Sequence, residues 1–264
     1  MDISALETGN FQLGNIDVIC HLASARPAHP SSQLAESLTF TQKIINAAIK
    51  NQIPGFINAS SQSVYGTGRA PLSEEMPPAP ETAYAQTTWA SEVMAASLTA
   101  LSRTSRATSL RLPRLIGPGP GWRIDEVAHK YVAASIRGEK LKVWGGKQKL
   151  DLIDVRDASR LVAKLVVAPY SKWPAALNVS TGKPVSVLEL AQRVMALAAT
   201  GTGASEQVEI DESFIAPSFG MDNSRATRLF DWGSVYTLEE TLAGIAGELK
   251  KQRKEGKPYE AKTG

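Results

Sequence analysis

The chain has 264 residues, 43% of them hydrophobic, which is enough to bury a substantial core in one large or two small domains. Its 29 Lys and Arg residues nearly balance its 26 Asp and Glu residues, so the charge does not favour a nucleic-acid partner. No apolar run approaches the roughly 18 residues that cross a membrane, and no signal peptide opens the sequence. We therefore expect a soluble, cytoplasmic protein without a nucleic-acid or membrane partner.

The first half of the sequence alternates apolar runs with segments of helical spacing. The runs IDVICHLAS (16–24), GFINAS (55–60) and ATSLRL (107–112) predict buried strands. Residues 34–51 and about 82–101 carry apolar side chains at helical spacing and predict the helices between those strands. Strands that alternate with helices of this length indicate a parallel α/β sheet with right-handed connections.

Past Gly121 the predicted elements become shorter. They are helices over 124–137, 156–167 and 187–199 and strands over KLKVW, LDLIDV, ALNVS and QVEID. Thr237 precedes Glu240 by three residues, the spacing of a capping box, and opens the last helix. We expect residues 1–117 to form a Rossmann-like core. Residues 118–264 are expected to form mostly a substrate-binding region, with some strands and helices returning to the core.

The stretch 60–88 carries the candidate chemistry. Ser61 follows the predicted strand GFINA, and a helix that begins after a proline-rich link carries Tyr84. A hydroxyl at a strand end and a tyrosine at a helix start can form a proton-transfer pair. Four residues after Tyr84, on the same helical face, stands Thr88.

Several segments, taken in order, carry a resemblance to a known family. They are IDVICHLAS, SSQSVYG, YAQTT, LRLPRLIGPG, LDLIDVRDASR, LNVSTGKPVSVLELA and DNSRATRLFDW with TLEETL. Over nearly its whole length the chain resembles the extended short-chain dehydrogenases/reductases, and more narrowly the NAD-dependent epimerase/dehydratase group that works on nucleotide sugars. The resemblance implies a partial Rossmann-type parallel sheet with a smaller C-terminal substrate-binding region. It also implies NAD or NADP as cofactor and a nucleotide-sugar type of small-molecule substrate, although fold does not settle activity.

The resemblance also assigns the catalytic positions. Ser61, four positions before Tyr65 of VYG, matches the family's catalytic serine or threonine, and Tyr84 matches the acid/base tyrosine of YxxxK. The lysine of that motif, which holds the nicotinamide ribose and lowers the tyrosine's pKa, is replaced by Thr88. A free phenol has a pKa near 10, and Thr88 cannot supply the cation that favours its charged form. Two interpretations stay open, a working catalytic pair and an inherited structural remnant.

The cofactor side departs from the family a second time. No glycine-rich turn joins a first strand to a first helix, so the phosphate cradle is missing. By the resemblance, the chain starts at the end of the family's third strand and lacks the N-terminal βαβαβ portion, either as a truncation or as a natural protein that begins mid-fold. The remaining cofactor contacts would be Asp2, Ile3, Leu22, Ala23, Ser24 and Pro113. We expect weak binding of NAD or NADP.

On the substrate side, the resemblance points to Ser63, Arg114 and Asp151. Arg114 stands where the family often has an asparagine that touches the nucleotide-sugar phosphates, and a guanidinium also suits phosphate. Leu150 and Asp151 stand where the family usually has Arg-Asp, so one phosphate-binding arginine is replaced. Asp157 matches the family's helix-opening aspartate, and we expect it to cap the helix.

The other chemistry-bearing residues favour structural roles. The histidines, His21, His29 and His129, have no carboxylate or cysteine at ligand spacing, so no metal site is predicted. The single cysteine, Cys20, excludes an intrachain disulfide and is predicted to be a buried thiol. The five tryptophans are dispersed and predict packing residues rather than a stacking platform; they are Trp89, Trp122, Trp144, Trp173 and Trp232.

Three functional hypotheses follow. The first is a nucleotide-sugar epimerase or dehydratase relative that acts through Tyr84 and Ser61. The second is an inactive or cofactor-poor homologue that serves as a binding or assembly protein, and the third is an enzyme that uses the same two residues for non-redox proton transfer. Helices 34–51 and 82–102 match the pair through which family members dimerise, and the strand at 16–23 would be an apolar edge. We therefore expect a homodimer or association through that edge.

Overall fold

The structure is a computed structural model, and it describes residues 15–67, 71–119, 126–198, 208–213 and 216–255. Within these ranges the strands are β1 (Val18–His21), β2 (Gly55–Ser61), β3 (Arg106–Leu112), β4 (Arg114–Ile116), β5 (Leu141–Trp144), β6 (Lys149–Leu150), β7 (Leu152–Asp154), β8 (Ala176–Asn178), β9 (Val185–Ser186) and β10 (Val208–Asp211). The helices are α1 (Ser31–Lys50), α2 (Ala83–Leu101), α3 (Val127–Ile136), α4 (Val155–Val167), α5 (Val187–Ala198), α6 (Ser224–Phe230) and α7 (Leu238–Lys254).

A four-stranded sheet forms the centre of the fold. Its strands lie in the order β1-β2-β3-β8, and every neighbouring pair is parallel. Successive residues of a strand face opposite sides of a sheet. Phe56 of β2 accordingly packs with Ile45 of α1 and Leu98 of α2, whereas Ile57 packs on the other side with Leu161 of α4. Helices therefore cover both faces, and the predicted α/β fold with a parallel sheet is confirmed.

β1 forms one edge of this sheet, and β2 is its one partner strand among the described residues. His21 at its end is buried and shares a hydrogen bond of 2.9 Å with the Thr41 hydroxyl. Cys20, in contrast, is exposed. The prediction of a buried thiol is wrong, because β1 lies at the edge of the described sheet and its neighbours cover Cys20 only in part.

A second core lies in the C-terminal half. Val132 of α3, Val143 of β5, Leu190 of α5 and Ile245 of α7 belong to one buried apolar cluster. Other elements of the same half return to the central sheet, since β8 pairs with β3 and α4 packs on its face. In the described part of the chain, no helix is long and apolar enough to cross a membrane, and no group of three His, Cys, Asp or Glu is placed to hold a metal ion.

The helix ends confirm one predicted cap and correct another. The Thr237 hydroxyl accepts the Glu240 N–H, and the Glu240 carboxylate accepts the Thr237 N–H, so the predicted capping box opens α7. The cap of α4 is Asp154, whose Oδ1 accepts the Arg156 N–H at 2.8 Å. Asp157 lies in the first turn instead, and its buried carboxylate accepts the Val235 N–H at 3.1 Å. The predicted capping role of Asp157 is therefore wrong, because backbone N–H groups distant in sequence donate hydrogen bonds to its oxygens.

Candidate active site

The carboxyl ends of the parallel strands bring the sequence-predicted residues to one edge of the sheet. Ser61 ends β2, residues 22–24 follow β1, and Pro113 and Arg114 follow β3. Ser61 pairs with Leu112, so Arg114 lies two residues beyond the partner of Ser61 on the neighbouring strand. Ligands of open α/β sheets bind beyond this edge. The carboxyl end of the central sheet is therefore the candidate active site.

Ser61 and Tyr84 lie on the elements that the sequence predicted. Ser61 begins a 3₁₀ turn over Gln62–Tyr65, and its Oγ accepts the Ser63 N–H at 3.2 Å. Tyr84 lies in the first turn of α2, which Thr82 caps by accepting the Ala85 N–H. Both side chains are half-buried, so a ligand can still reach them.

Thr88 fills the position one turn after Tyr84 with a neutral group. Its hydroxyl donates to the Tyr84 carbonyl at 2.8 Å, a local bond within the helix. Only 5% of the residue is exposed. Thr88 therefore offers Tyr84 neither a positive charge nor a side-chain hydrogen bond to the phenol.

A buried ion pair joins the elements around these residues. The Glu92 carboxylate of α2 accepts from Arg111 of β3, with Nε to Oε1 at 3.1 Å and Nη2 to Oε2 at 2.9 Å. The Ser60 hydroxyl of β2 donates to the same carboxylate. Burial alone would lower the pKa of Arg111, but the Glu92 carboxylate raises it, so the guanidinium stays charged. One carboxylate thus holds α2, β2 and β3 together.

The network continues through Tyr65 to the last strand of the sheet. The Arg111 guanidinium lies 4.6 Å from the centre of the Tyr65 ring, within cation–π range. The Tyr65 hydroxyl donates to Asn178 Oδ1 at 2.7 Å, and Asn178 Nδ2 donates to the Leu72 carbonyl at 2.9 Å. Burial raises the pKa of Tyr65 above its ordinary value, so it remains a neutral donor. Tyr65 is therefore a structural tyrosine, distinct from the half-buried Tyr84.

Two polar atoms beside Ser61 lack a protein partner. Gln62 Oε1 and Ser63 Oγ are both buried and form no hydrogen bond among the described residues. Buried polar atoms are normally paired with protein or water. A ligand or a bound water could therefore supply the missing hydrogen-bond partner of these two atoms. Ser63 is one of the predicted substrate contacts.

A cavity of about 610 Å³ lies beside the carboxyl end of the sheet, in the C-terminal half of the chain. Among the residues that line it are five cationic and three aromatic side chains: Arg114, Lys130, Arg137, Lys140, Lys142, Tyr131, Trp144 and Phe219. Glu126 lies 3.2 Å from Arg114 and partly offsets its charge. A volume of this size suits a small ligand. The cavity combines positive charge with aromatic surface.

Sequence reasoning missed most of this cavity. Trp144 is 58% exposed and lines its wall, so its assignment as a packing residue is wrong. The missed signal was the alternation in KLKVW, where Leu141 and Val143 are buried while Lys142 and Trp144 are exposed. A tryptophan on the polar face of a strand indicates a surface that contacts something else.

The predicted substrate residues differ in their positions. Arg114 lines the cavity. Asp151 does not belong to its lining, since its carboxyl is fully buried and accepts from Ser180 and Met221. Of the predicted cofactor residues, Leu22 is 63% exposed and Pro113 is buried, whereas Asp2 and Ile3 lie outside the described residues.

Comparison with known proteins identifies the family. Residues 2–180, more than half of the chain, match the model of the NAD dependent epimerase/dehydratase family. The chain belongs to this family. The prediction from the sequence resemblance is thereby confirmed.

Curated relatives within the epimerase/dehydratase family match the chain over different lengths. A dTDP-4-dehydro-6-deoxy-D-allose reductase from a Streptomyces species is 33% identical over 143 residues, which is 51% of this chain and 42% of the relative. The low-salt glycan biosynthesis protein Agl12 of Haloferax volcanii is 26% identical over 258 residues, or 91% of this chain and 78% of that protein. The chain thus spans less than half of the first of these relatives.

Solved structures share the fold. The structure of MoeE5 in complex with UDP-glucuronic acid and NAD superposes on this chain with a TM-score of 0.81 at 25% identity. The superposition covers 96% of this chain and 85% of MoeE5. A UDP-glucose 4-epimerase of Thermotoga maritima, solved with UDP-glucose, gives the same TM-score at 20% identity over 96% of this chain and 84% of that one. The latter likeness shows the fold alone.

The described residues fit the family's cofactor only in part. Ser61 and Tyr84 occupy the expected elements, but Thr88 replaces the lysine. The family's pyrophosphate cradle follows its first strand, which by the resemblance precedes β1, and the described residues contain no segment that corresponds to it. Among the described residues, the family's catalytic elements are therefore present without the lysine of the motif.

The Glu92–Arg111 pair provides a stability test. Replacement of Glu92 by Ala leaves the Arg111 guanidinium buried and unpaired and is expected to cost about 3–5 kcal/mol of unfolding free energy. Urea unfolding followed by circular dichroism measures the change. The matched control is Glu139→Ala, which breaks the exposed pair with Arg137 and is expected to leave the unfolding midpoint unchanged. Equal midpoints for the two variants would contradict the role given to the buried pair.

Proposed function

We propose that the chain binds a nucleotide sugar in the 610 Å³ cavity and performs acid–base chemistry on it through Ser61 and Tyr84. The observation that carries this proposal is the position of Arg114. Arg114 follows β3 at the carboxyl end of the sheet, where Ser61 ends β2. It also lines the cavity. A ligand whose diphosphate contacts Arg114 therefore has the cavity on one side and the catalytic hydroxyls on the other.

The cavity chemistry matches a nucleoside diphosphate. Arg114, Lys130 and Lys142 supply positive charge, and a guanidinium can bind phosphate oxygens bidentately. Trp144 and Tyr131 offer aromatic surface on which a base can stack. Two similar proteins support the same class of ligand, since MoeE5 was solved in complex with UDP-glucuronic acid and the Streptomyces reductase is named for a dTDP-sugar.

Each catalytic residue has a distinct role in this proposal. Tyr84 accepts or donates the proton of a sugar hydroxyl, and Ser61 hydrogen-bonds the same oxygen. We assign to Ser63 the binding of another sugar hydroxyl, because its buried hydroxyl has no partner among the described residues. NAD or NADP is the family's cofactor. We propose that this 264-residue chain binds it weakly, because Thr88 supplies no cation to hold the ribose.

The neutral environment of Tyr84 favours a second candidate function. Thr88 bonds to the Tyr84 carbonyl and, unlike the lysine of the motif, carries no positive charge. A homologue without redox activity would still use the cavity. It would act as a nucleotide-sugar-binding or assembly protein, or use Ser61 and Tyr84 for proton transfer that needs no cofactor.

We also propose that the chain forms a homodimer through the β1 edge. Cys20 and Leu22 are exposed there, and among the described residues no strand pairs with the outer side of β1. Light scattering across concentrations is expected to give a dimer, and Cys20→Lys a monomer, because a lysine blocks edge pairing. Val167→Lys on α4, another exposed position, serves as the control and should leave the dimer intact. A monomeric wild-type chain at every concentration would contradict the proposal.

Titration calorimetry with UDP tests the nucleotide site. The wild-type chain is expected to bind UDP, and Lys142→Ala to weaken binding about three- to tenfold by removing one charged contact to phosphate. Lys147→Ala is the matched control, because Lys147 is exposed on the loop after the same strand and does not line the cavity. The control should bind UDP as the wild type does. A chain that binds no UDP at millimolar concentration refutes the proposed site.

A restored lysine tests the account of the cofactor. Calorimetry with NAD and NADP at millimolar concentration is expected to show weak binding to the wild type and stronger binding to Thr88→Lys, because the ammonium group can hold the ribose and favour the phenolate of Tyr84. Gln86→Lys adds the same charge on the exposed side of α2 and should change nothing. Micromolar NAD binding by the wild type would rule out the cofactor-poor interpretation. If Thr88→Lys binds cofactor but gains no activity, the explanation of the defect is wrong.

A further inference from the structure

Residues 216–222 form one side of the cavity although they belong to no helix or multi-residue strand. Pro217 and Phe219 line the wall. The Phe219 N–H donates to the Lys149 carbonyl at 2.9 Å, which ties the segment to β6. An irregular segment of this kind keeps its shape only if specific contacts hold it.

One buried side chain supplies such a contact. Asp151 Oδ2 accepts the Met221 N–H at 2.9 Å and the Ser180 hydroxyl at 2.7 Å. The residue is 0% exposed, and Asp151 Oδ1 is buried without a hydrogen-bond partner among the described residues. Asp151 thus holds the segment by its backbone, next to β8.

Asp151 also contacts other parts of the cavity wall. Its backbone carbonyl accepts the Arg114 N–H at 3.2 Å. Its neighbour in sequence, Leu150, lines the cavity, as does Phe219, two residues before Met221. Three separate pieces of the wall therefore meet at this one residue.

The burial of a carboxyl group costs free energy that an apolar side chain would not cost. Burial raises the pKa of Asp151, and its two hydrogen bonds only partly offset the loss of water. An apolar side chain of similar size would pack at lower cost but could not accept the Met221 N–H. What the carboxyl provides is therefore a fixed position for the backbone at 221.

We propose that Asp151 is a positioning residue of the cavity, which fixes residues 216–222 against β6 and so sets the affinity for a nucleoside diphosphate. The choice of ligand rests on the proposed function. Asp151 itself does not touch the ligand. Its effect reaches the cavity through Phe219, Leu150 and Arg114.

Two measurements on the full chain test this role, namely calorimetry with UDP and hydrogen exchange of the peptide that spans 216–222. Asp151→Ala is expected to weaken UDP binding by at least about tenfold and to speed exchange in that peptide, because the Met221 N–H loses its acceptor. Asp151→Asn retains a carbonyl acceptor and is expected to stay within about threefold of the wild-type affinity. If Asp151→Ala does not fold, Ser180→Ala replaces it, with an expected loss of about threefold.

Asp157→Ala is the matched control. Asp157 is also a fully buried carboxylate that accepts backbone N–H groups, but those belong to Val235 and Tyr236, and it does not line the cavity. This variant should speed exchange around residue 235 and leave UDP affinity unchanged. Unchanged exchange over 216–222 in folded Asp151→Ala, or in Ser180→Ala where that variant replaces it, would overturn the proposal, as would an equal loss of affinity in Asp157→Ala. A wild type that binds no UDP refutes the proposed ligand, while the exchange results still decide whether Asp151 holds the segment.

Discussion

The buried pair between Glu92 and Arg111 determines how the candidate active site is assembled. Glu92 belongs to α2, whose first turn carries Tyr84, and it also accepts from Ser60, the residue before Ser61. Water cannot replace either partner, because only 4% of the arginine and 5% of the glutamate side chain is exposed. The relative placement of Ser61 and Tyr84 therefore depends on a contact that neither residue makes.

The secondary structure could be predicted because its signals are local. The helix predicted over 82–101 spans Ala83–Leu101, with Thr82 as its cap, and the capping box at Thr237 lies where the sequence placed it. Periodicity and caps depend on neighbours within about four residues, and these are visible in the sequence. The positions of Ser61 and Tyr84 followed for the same reason, since each belongs to a short motif at the end of an element.

Exposure and long-range contacts could not be predicted in the same way. Cys20 lies in an apolar run, yet its exposure depends on which strand stands beside β1. Asp157 stands at a helix start, yet its oxygens bind backbone near residue 235. The cavity wall is formed by Arg114, α3, β5 and the segment that carries Phe219, so no single stretch of sequence predicts it. These features depend on how distant segments meet, which a pattern within one segment does not encode.

The contacts of Asn178 bear on when the site forms. Its amide joins Tyr65 and Leu72 from the first half of the chain to the carbonyl of Asp222 near the other end. Closure of loops of more than a hundred residues is entropically costly and slow relative to the formation of local helices. During synthesis, the chain through β3 already contains Ser61, Tyr84 and the Glu92–Arg111 pair that relates them. The turn after Ser61 gains its bond to Asn178 only once residue 178 has been synthesised, and Asn178 gains its bond to Asp222 later still.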